Sequence, residues 1–579
     1  DFFSGGSYPQ KEINESWECV LLHQFHDIIP GSSIHEVYED SRVNYRRAEE
    51  QVDQVIRAAL GRLAGQPRPE VQTEQPRPEA SAGKGAAHMS ENVSKSAGQN
   101  AQRFAVCSVS SFGGQELVHI PVREDGTFYD EEGNVLAAGK TADGWDVQVE
   151  VEPFAGRNIT FIPGAAEPHD EIDAARRDEA SVTAVAPASD TADQQGCEVF
   201  RFGDNTLETP FYSIVWNEAG QLTRLYDKQA GRSVLRPGES GNVLEIYEDK
   251  PMDFDAWDID IYYTQKMETM RICEPVRLVE RHGLKAVVRF VYAYRKSRLV
   301  QDMVVYRDSR RIDFKTHVDW HEDHRLLKTA FYTDIRATKA TYDVQFGHVE
   351  RPTHWNTSWD WARFEVCGHQ WADLSETGYG VSLLNDCKYG YSIRDNAMKL
   401  TLLKSAKYPD MTADMGEHDF IYALYPHEGA VTEGGTMEEA RRLNAPALAV
   451  PGGFRDEKKI VRVEEITPTA ARGPEEKLPG CVARKPEEKL SGCAARETEE
   501  KLSGCAAREA EKKLSGCAAW ETKADLAQNA ACGVQIDAIK KAEDEDCLIV
   551  RMHECRGGRS RVRVSSDYPV RRIVPCNLL

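Results

Sequence analysis

The alternation of apolar and polar residues between positions 211 and 424 restricts the fold of this chain more than any other feature. Short segments rich in Val, Tyr, Phe and Ile recur there, and in residues 312–320 apolar or small side chains alternate with polar ones such as Asp313 and Asp319. A period of two is typical of a strand with one face in water. Residues 212–226 contain two such segments around an Asn-Glu-Ala-Gly turn and predict a hairpin. We therefore predict a large antiparallel β-sandwich.

The N-terminal residues follow a helical pattern instead. Residues at helical spacing form two adjoining faces of one helix. One face contains Trp17, Val20, Leu21 and Phe25, and the other face contains Cys19, Leu22, His23 and His26. We expect this helix to be buried nearly all round. Pro30 and Gly31 stop it, and Ser33 with Glu36 forms a capping box for a second, amphipathic helix. The predicted fold class is α+β, with an N-terminal helical-bundle segment followed by large antiparallel β-sandwich domains.

Composition changes along the chain predict its domain organisation. Two copies of the pentapeptide QPRPE open a linker with few apolar residues, and a 12-residue unit that contains one Cys is repeated four times near the C-terminus. The predicted segments are a partial helical domain (1–65), a low-complexity linker (66–103), a small β region with an acidic insertion (104–200), a large β-sandwich (201–450), a linker with the four repeats (451–525) and C-terminal β strands (526–579).

Charge and cysteine content narrow the class of protein. The net charge of −22 excludes partners that need a basic surface, so we expect neither nucleic acid nor an anionic membrane to be bound. No apolar run is long enough to span a bilayer. Of the 14 Cys, four belong to the repeat, and the others form no Cys-x-x-Cys pair. That pattern is typical of reduced thiols in a cytosol.

Two places could carry chemistry. His26 and Asp27 precede a sharp bend, where a neutral imidazole can bind zinc and a carboxylate can accept hydrogen bonds from sugar hydroxyls; the alternative is a capping or core hydrogen bond. In the loop 248–263, Asp255 and Asp258 flank Trp257. Aromatic rings and carboxylates suit sugar recognition, and the alternative is a solvated acidic turn with its indole anchored in the core.

A further candidate is a group of three histidines in eight residues, His317, His321 and His324. Strand alternation places only the first two on one face, so we interpret the group as polar surface and not as a metal site. The Trp-rich run 346–364 either shapes a sugar cleft or fills a contact between domains.

The segment around His26 and Asp27 resembles the part of glycoside hydrolase family 38 α-mannosidases in which a histidine binds the catalytic zinc and the next aspartate contacts the sugar. By position, His26 would be the zinc ligand and Asp27 the substrate contact. Residues 255–260 and 346–364 resemble the cytosolic-type branch of the same family. The resemblance implies a retaining, zinc-dependent α-mannosidase in which cobalt can replace zinc. This enzyme would act on α-mannoside oligosaccharides in the cytoplasm and associate into a homo-oligomer.

Family members carry a large catalytic domain before the His-Asp motif, whereas 25 residues precede His26 here. We therefore expect a C-terminal fragment that lacks most of this domain, with its nucleophile and general acid, and is inactive alone. Retaining glycosidases need two carboxyl groups about 5 Å apart, and we assign neither to a residue of this chain. The alternative is a non-catalytic, carbohydrate-binding β-sandwich protein, or a subunit that complements a separate catalytic domain.

Overall fold

The computed structural model describes residues 8–63, 101–164, 199–453, 461–465, 533–574 and 576, which belong to one compact unit. Three low-complexity segments predicted from the sequence lie outside the described residues: the linker 66–103 apart from its last three residues, the acidic insertion 165–195 and the repeats 474–521.

Two helices form the N-terminal part. Helix α1 spans Gln10–His23 and α2 spans His35–Leu63. They pack together through the rings of His23 and Tyr45, whose centroids are 4.8 Å apart. The predicted capping box at the start of α2 is wrong, because α2 begins at His35 and Ser33 is not the residue before it. The Ser33 hydroxyl donates to the backbone carbonyl of Asp27 at 2.7 Å. This hydrogen bond closes the turn between the helices.

The expectation that α1 is buried nearly all round is also wrong. Ser16 and His23 are buried against α2, but the apolar face is open. Trp17, Leu21 and Leu22 are at least 60% exposed. Helical spacing shows that apolar residues share a face, but it does not show which segment covers them, and α2 lies on the other side of α1.

The small β region contains two sheets. Its four-stranded sheet has the order Leu448–Pro451, Gln102–Cys107, Gly156–Pro163, Gly126–Tyr129, and its three-stranded sheet has the order Gly114–Ile120, Trp145–Val151, Ala138–Lys140. The apolar faces enclose one core that includes Phe128, Val147 and Phe161, each at most 1% exposed. A strand near residue 450 thus pairs with one near residue 105, so distant parts of the chain complete this region.

The large β-sandwich consists of three antiparallel sheets. The five-stranded sheet has the order Arg232–Ser233, Leu222–Asp227, Tyr212–Trp216, Thr206–Glu208, Arg201–Gly203. The six-stranded sheet has the order Met267–Thr269, Val243–Glu248, Arg325–Tyr332, Ala397–Lys404, Gly390–Arg394, Val366–Cys367. The ten-stranded sheet has the order Arg271–Ile272, Lys285–Tyr294, Ser297–Tyr306, Ile312–Trp320, Gly416–Glu428, Tyr379–Asn385, Trp371–Glu376, Lys339–Val344, Gly347–Pro352, and Arg277–His282 also pairs with Lys285–Tyr294.

A single core joins these three sheets. Trp216, Phe331 and Tyr422 come from different sheets and are at most 2% exposed within it. The predicted β-sandwich and the hairpin in residues 212–226 are therefore confirmed. One detail of the predicted wet face is wrong: Asp313 is 2% exposed, because it accepts hydrogen bonds from the Tyr306 hydroxyl and from the guanidinium of Arg311.

Two shorter helices and two strand pairs complete the described fold. Helix α3 spans Ser358–Trp361 and α4 spans Thr436–Asn444. The C-terminal strands form two pairs, Arg462–Glu465 with Val562–Ser565 and Val534–Lys541 with Leu548–Glu554. Cys555, after the second pair, is buried with Tyr425 and Met437 in a separate small core. None of the helices in the described ranges has the length and apolarity that a bilayer crossing requires.

Candidate functional site

The turn between α1 and α2 holds the backbone of Asp27 in place. Its carbonyl accepts hydrogen bonds from the hydroxyls of Ser32, Ser33 and Tyr38 at 3.3, 2.7 and 3.3 Å. Gly31 has a φ of +80°, a conformation that glycine adopts at little cost. These local features explain why the chain reverses here and why the His26–Asp27 pair has a defined position.

The side chains of this pair point outward. His26 and Asp27 are 66% and 43% exposed, and the imidazole Nε2 lies 3.3 Å from the carboxylate Oδ2 of Asp27. The other nearby histidine, His23, is buried, with its Nδ1 2.7 Å from the Cys19 carbonyl. His26 and Asp27 are thus available to a ligand, whereas His23 supports the packing of α1.

Residues 249–263 form the second part of the candidate site. The indole of Trp257 is 54% exposed, so it is not anchored in the core. Its ring lies edge-on to the imidazole of His26, with 6.3 Å between the centroids. Asp258 is exposed beside it. The structure therefore brings His26 and Trp257 together at one surface, with Asp27 and Asp258 exposed next to them in the sequence.

Asp255 has a different position. Its Oδ2 accepts a hydrogen bond from the backbone N–H of Lys407 at 2.5 Å and lies 3.3 Å from Nε2 of His324. Asp260 likewise accepts from the N–H of Met252 at 2.9 Å. Both carboxylates turn toward the protein and hold the loop, while Trp257 faces outward.

A third segment links the helical hairpin to this loop. His35, at the start of α2, places its Nδ1 3.3 Å from Oδ2 of Asp410 and 3.0 Å from the Thr412 hydroxyl. Burial alone would raise the pKa of Asp410, but hydrogen bonds from Thr412 and His35 lower it below its usual value. Residues 407–412 therefore bridge α2 and Asp255, an arrangement that the sequence did not suggest.

One carboxylate behind the loop, that of Asp249, has a perturbed pKa. Asp249 is 1% exposed and paired with the ammonium of Lys404. Burial raises the pKa of Asp249 above its usual value, although Lys404 acts in the opposite direction. Its Oδ1 makes no hydrogen bond to any residue that the structure describes. The loop thus rests on a buried ion pair next to Asp255 and His324.

The Trp-rich run 346–364 reaches the same loop through its end. Phe364 packs on the ring of Tyr263, and the Tyr263 hydroxyl and the Lys328 ammonium both bind Glu365. The other end of the run is strand Gly347–Pro352 of the ten-stranded sheet. Between these anchored ends, Trp359 is 76% exposed.

The three clustered histidines do not form one site. His317 contacts Asp419 at 2.9 Å and His321 contacts Asp319 at 2.7 Å. His324 faces Asp255. Each imidazole thus has a different carboxylate partner, in agreement with the interpretation as a polar surface.

A cluster that the sequence did not predict lies at the small β region. Ligand-type atoms of Asp146, Glu280 and His282 lie within 4.8 Å of one another. The Lys285 ammonium occupies the middle of the cluster, 2.5 Å from Asp146 and 3.1 Å from Glu280. A cation of the protein already neutralises these carboxylates, so the cluster is an ion-pair network. Asp146 comes from strand Trp145–Val151, whereas Glu280 and His282 share strand Arg277–His282, so the spacing along the chain did not bring all three together.

Zinc needs three or four ligands. His26 and Asp27 offer two donors at the candidate site, and within the described ranges the one group of three potential ligands is the cluster filled by Lys285. The described residues therefore fit part of a zinc site and do not complete one.

Family models match three parts of the chain. The alpha mannosidase middle domain matches residues 2–63, the glycosyl hydrolases family 38 C-terminal domain matches 207–412, and the glycosyl hydrolases family 38 C-terminal beta sandwich domain matches 533–579. His26 and Trp257 thus lie in two different matched domains. These matches place the chain in the class of the glycoside hydrolase families. The chain belongs to glycosyl hydrolase family 38, and it contains the middle and C-terminal domains.

Relatives agree with this family. Alpha-mannosidase 2C1 from Homo sapiens is 32% identical over 447 residues, which are 77% of this chain and 36% of the human protein. Alpha-mannosidase G from Dictyostelium discoideum is 33% identical over 76% of this chain and 38% of its own length. The chain therefore spans about a third of the length of these relatives. The predicted resemblance to the cytosolic-type branch is confirmed.

Solved structures agree with the fold. The crystal structure of an alpha-mannosidase from Enterococcus faecalis V583 superposes with a TM-score of 0.57 at 14% identity, over 80% of this chain and 56% of that one. At this identity the likeness describes the fold alone.

Proposed function

We propose that this chain forms the middle and C-terminal part of a retaining, zinc-dependent α-mannosidase that acts on α-mannoside oligosaccharides in the cytoplasm. The observation that carries the proposal is the approach of His26 to Trp257. These residues come from two domains of the family, and their exposed side chains face the same surface at 6.3 Å.

The exposed groups suit a sugar. The Asp27 carboxylate, 43% exposed, accepts hydrogen bonds from sugar hydroxyls. The Trp257 ring packs on the C–H face of a pyranose, and Asp258 lies beside it as a second acceptor. Asp255 acts through its bonds to Lys407 and His324, which hold the loop and so position Trp257.

His26 would supply one zinc ligand, with the remaining ligands contributed from outside the described residues. Bound zinc would contribute Lewis-acid stabilisation of charge on sugar oxygens. The nucleophile and the general acid are likewise assigned to no residue of this chain.

The test is hydrolysis of p-nitrophenyl α-mannoside with added Zn²⁺ or Co²⁺, by this chain and by a version extended upstream, each with and without His26→Ala. The expected result is activity of the extended protein only, with both rate and metal content lost in His26→Ala. An active extended protein whose His26→Ala variant keeps its rate and metal content would contradict the proposal. Sugar binding without hydrolysis by either version would favour a non-catalytic carbohydrate-binding module.

A further inference from the structure

A cavity of about 520 Å³ lies where the small β region meets the ten-stranded sheet and α4. Strands Gly114–Ile120 and Trp145–Val151 form one wall, and strands Lys285–Tyr294 and Ser297–Tyr306 form the other. Its volume falls within the range of about 300–1,000 Å³ that is usual for small-molecule sites. None of the residues assigned to the mannoside site lines this cavity.

The charges around the cavity are balanced. The lining includes four basic residues, Lys285, Arg311, Lys315 and Arg442, and four acidic ones, Glu116, Asp146, Asp308 and Glu439. The buried cations already have carboxylate partners within the protein: Lys285 pairs with Asp146, and Glu439 accepts from both arginines. Because little net charge faces the cavity, it suits a neutral polar ligand better than an ion.

The Glu116 carboxylate is a buried acceptor in the wall and is 7% exposed. Its Oε1 lies 3.5 Å from Nε of Arg442, which is too long for a good hydrogen bond. A carboxylate has about four acceptor positions, so Glu116 can accept a hydrogen bond from a hydroxyl group of a ligand in the cavity.

We propose that this cavity is a second binding site, separate from the surface around His26 and Trp257, for a neutral polyhydroxylated ligand of mono- or disaccharide size. The Glu116 carboxylate accepts a hydrogen bond from a hydroxyl group of this ligand. Gln115 and Gln148, which also line the cavity, provide amide donors and acceptors of the kind that hydroxyl-rich molecules need. The proposal does not depend on hydrolytic activity.

The test is isothermal titration of the full chain with methyl α-mannoside, α-mannobiose and, as an anionic probe, inorganic phosphate. The chain carrying Trp257→Ala is titrated in parallel, because this substitution removes the proposed loop site only. We expect the Trp257→Ala protein to retain one sugar site and to bind no phosphate. Loss of all sugar binding in Trp257→Ala, or binding of phosphate in place of sugar, would overturn the second site.

Substitutions in the wall then locate that binding. In the Trp257→Ala background, Glu116→Gln should weaken sugar binding about tenfold, because a charged acceptor is replaced by a neutral one. Leu117→Trp should abolish binding by filling the cavity, and Val109→Trp, at a half-exposed position of the same region, is the matched control. If the Glu116→Gln protein does not fold, the comparison of Leu117→Trp with Val109→Trp shows whether the sugar binds in the cavity.

Equal binding by Leu117→Trp and Val109→Trp would overturn the cavity as the site. The loop site and the cavity site are tested separately by these experiments. If Trp257→Ala binds sugar as the unmodified chain does, the loop site is wrong and the cavity remains. If Trp257→Ala binds none, the cavity is wrong and the loop remains.

Discussion

The imidazole of His26 stands edge-on to the indole of Trp257, with 6.3 Å between ring centroids and 62° between ring planes. His26 belongs to the turn after α1, and Trp257 belongs to a loop of the six-stranded sheet, so this contact joins the helical hairpin to the β-sandwich. Both rings remain more than half exposed. Because both rings are exposed, a ligand can reach this surface from solvent. The contact between the two rings can be tested in the absence of a ligand.

Replacing Trp257 by Ala should shift the ¹H and ¹³C resonances of the His26 ring, because an aromatic ring in contact changes the local magnetic field. Stability should change by less than about 0.5 kcal/mol, since the indole is half exposed. Histidine-selective NMR of the labelled chain measures the shift. Met252→Ala, in the same loop and 84% exposed, is the control that should leave His26 unchanged. An unmoved His26 resonance in Trp257→Ala would show that the two rings do not meet in solution.

Replacing Lys328 by Met should destabilise the chain by about 3 kcal/mol, because it leaves the Glu365 carboxylate without its cation in a buried place. The Lys328 side chain is 0% exposed and burial lowers its pKa below the usual value, which reflects the cost of its charge there. Urea unfolding measures the change. The double variant with Glu365→Leu should recover most of the loss, and a single variant as stable as the parent would contradict the burial of this pair.

The stability of the chain should fall as the pH rises above about 6.5, the usual His pKa. Burial alone would lower the pKa of His282, but hydrogen bonds to Asp146 and Glu280 outweigh it and raise that pKa, despite repulsion from Lys285. A raised folded-state pKa stabilises the protein fully below the unfolded-state pKa, and this contribution is lost as the pH rises through the folded-state pKa.

His282→Gln should therefore flatten this part of the pH profile, as measured by urea unfolding between pH 6 and 9. His418, whose Nε2 contacts the Asp414 carbonyl at the exposed end of its strand, is the control histidine. His418→Gln should leave the slope unchanged. The assignment of this pH dependence to His282 is wrong if both substitutions have the same effect, or if His282→Gln has no effect on the slope.

Alkylation of the native chain with iodoacetamide at pH 8 should spare Cys107 and Cys555 and modify Cys273 and Cys547. Burial raises the pKa of Cys107 to about 12 and that of Cys555 to about 11, so little thiolate is present and access is blocked. The other two thiols are exposed. Peptide mapping by mass spectrometry measures each site, and alkylation of all four in denaturant is the control. Rapid labelling of Cys107 in the native chain would contradict its position in the core.

Replacing Leu22 by Ala should change the free energy of unfolding by less than about 0.5 kcal/mol, since the side chain is 62% exposed. The matched substitution Leu225→Ala should cost about 2–5 kcal/mol, because that side chain is fully buried. Urea unfolding of both variants measures the contrast. A large loss in Leu22→Ala would show that the apolar face of α1 is covered in solution.

Much of the local structure follows from neighbouring residues. The strand Ile312–Trp320 and the hairpin around residue 218 follow from the period of two and from a turn sequence, which act over a few residues. Gly31 lies in the reversal between α1 and α2 as predicted, but α1 ends at His23 and not at Pro30. The resemblance of the His26 segment named the family before any fold was known. These predictions succeeded because strand alternation, turn conformation and motif identity are local properties.

The sequence by itself determined the fold class, the position of the helical turn and the family, and it selected His26, Asp27, Asp255, Trp257 and Asp258 as candidates. Only the tertiary structure decided that Trp257 faces His26, whereas Asp255 turns inward to Lys407 and His324. It also decided that Asp313 is buried and that the apolar face of α1 is open. The physical reason is that burial and side-chain pairing depend on which distant segments meet, and neither periodicity nor spacing along the chain contains that information.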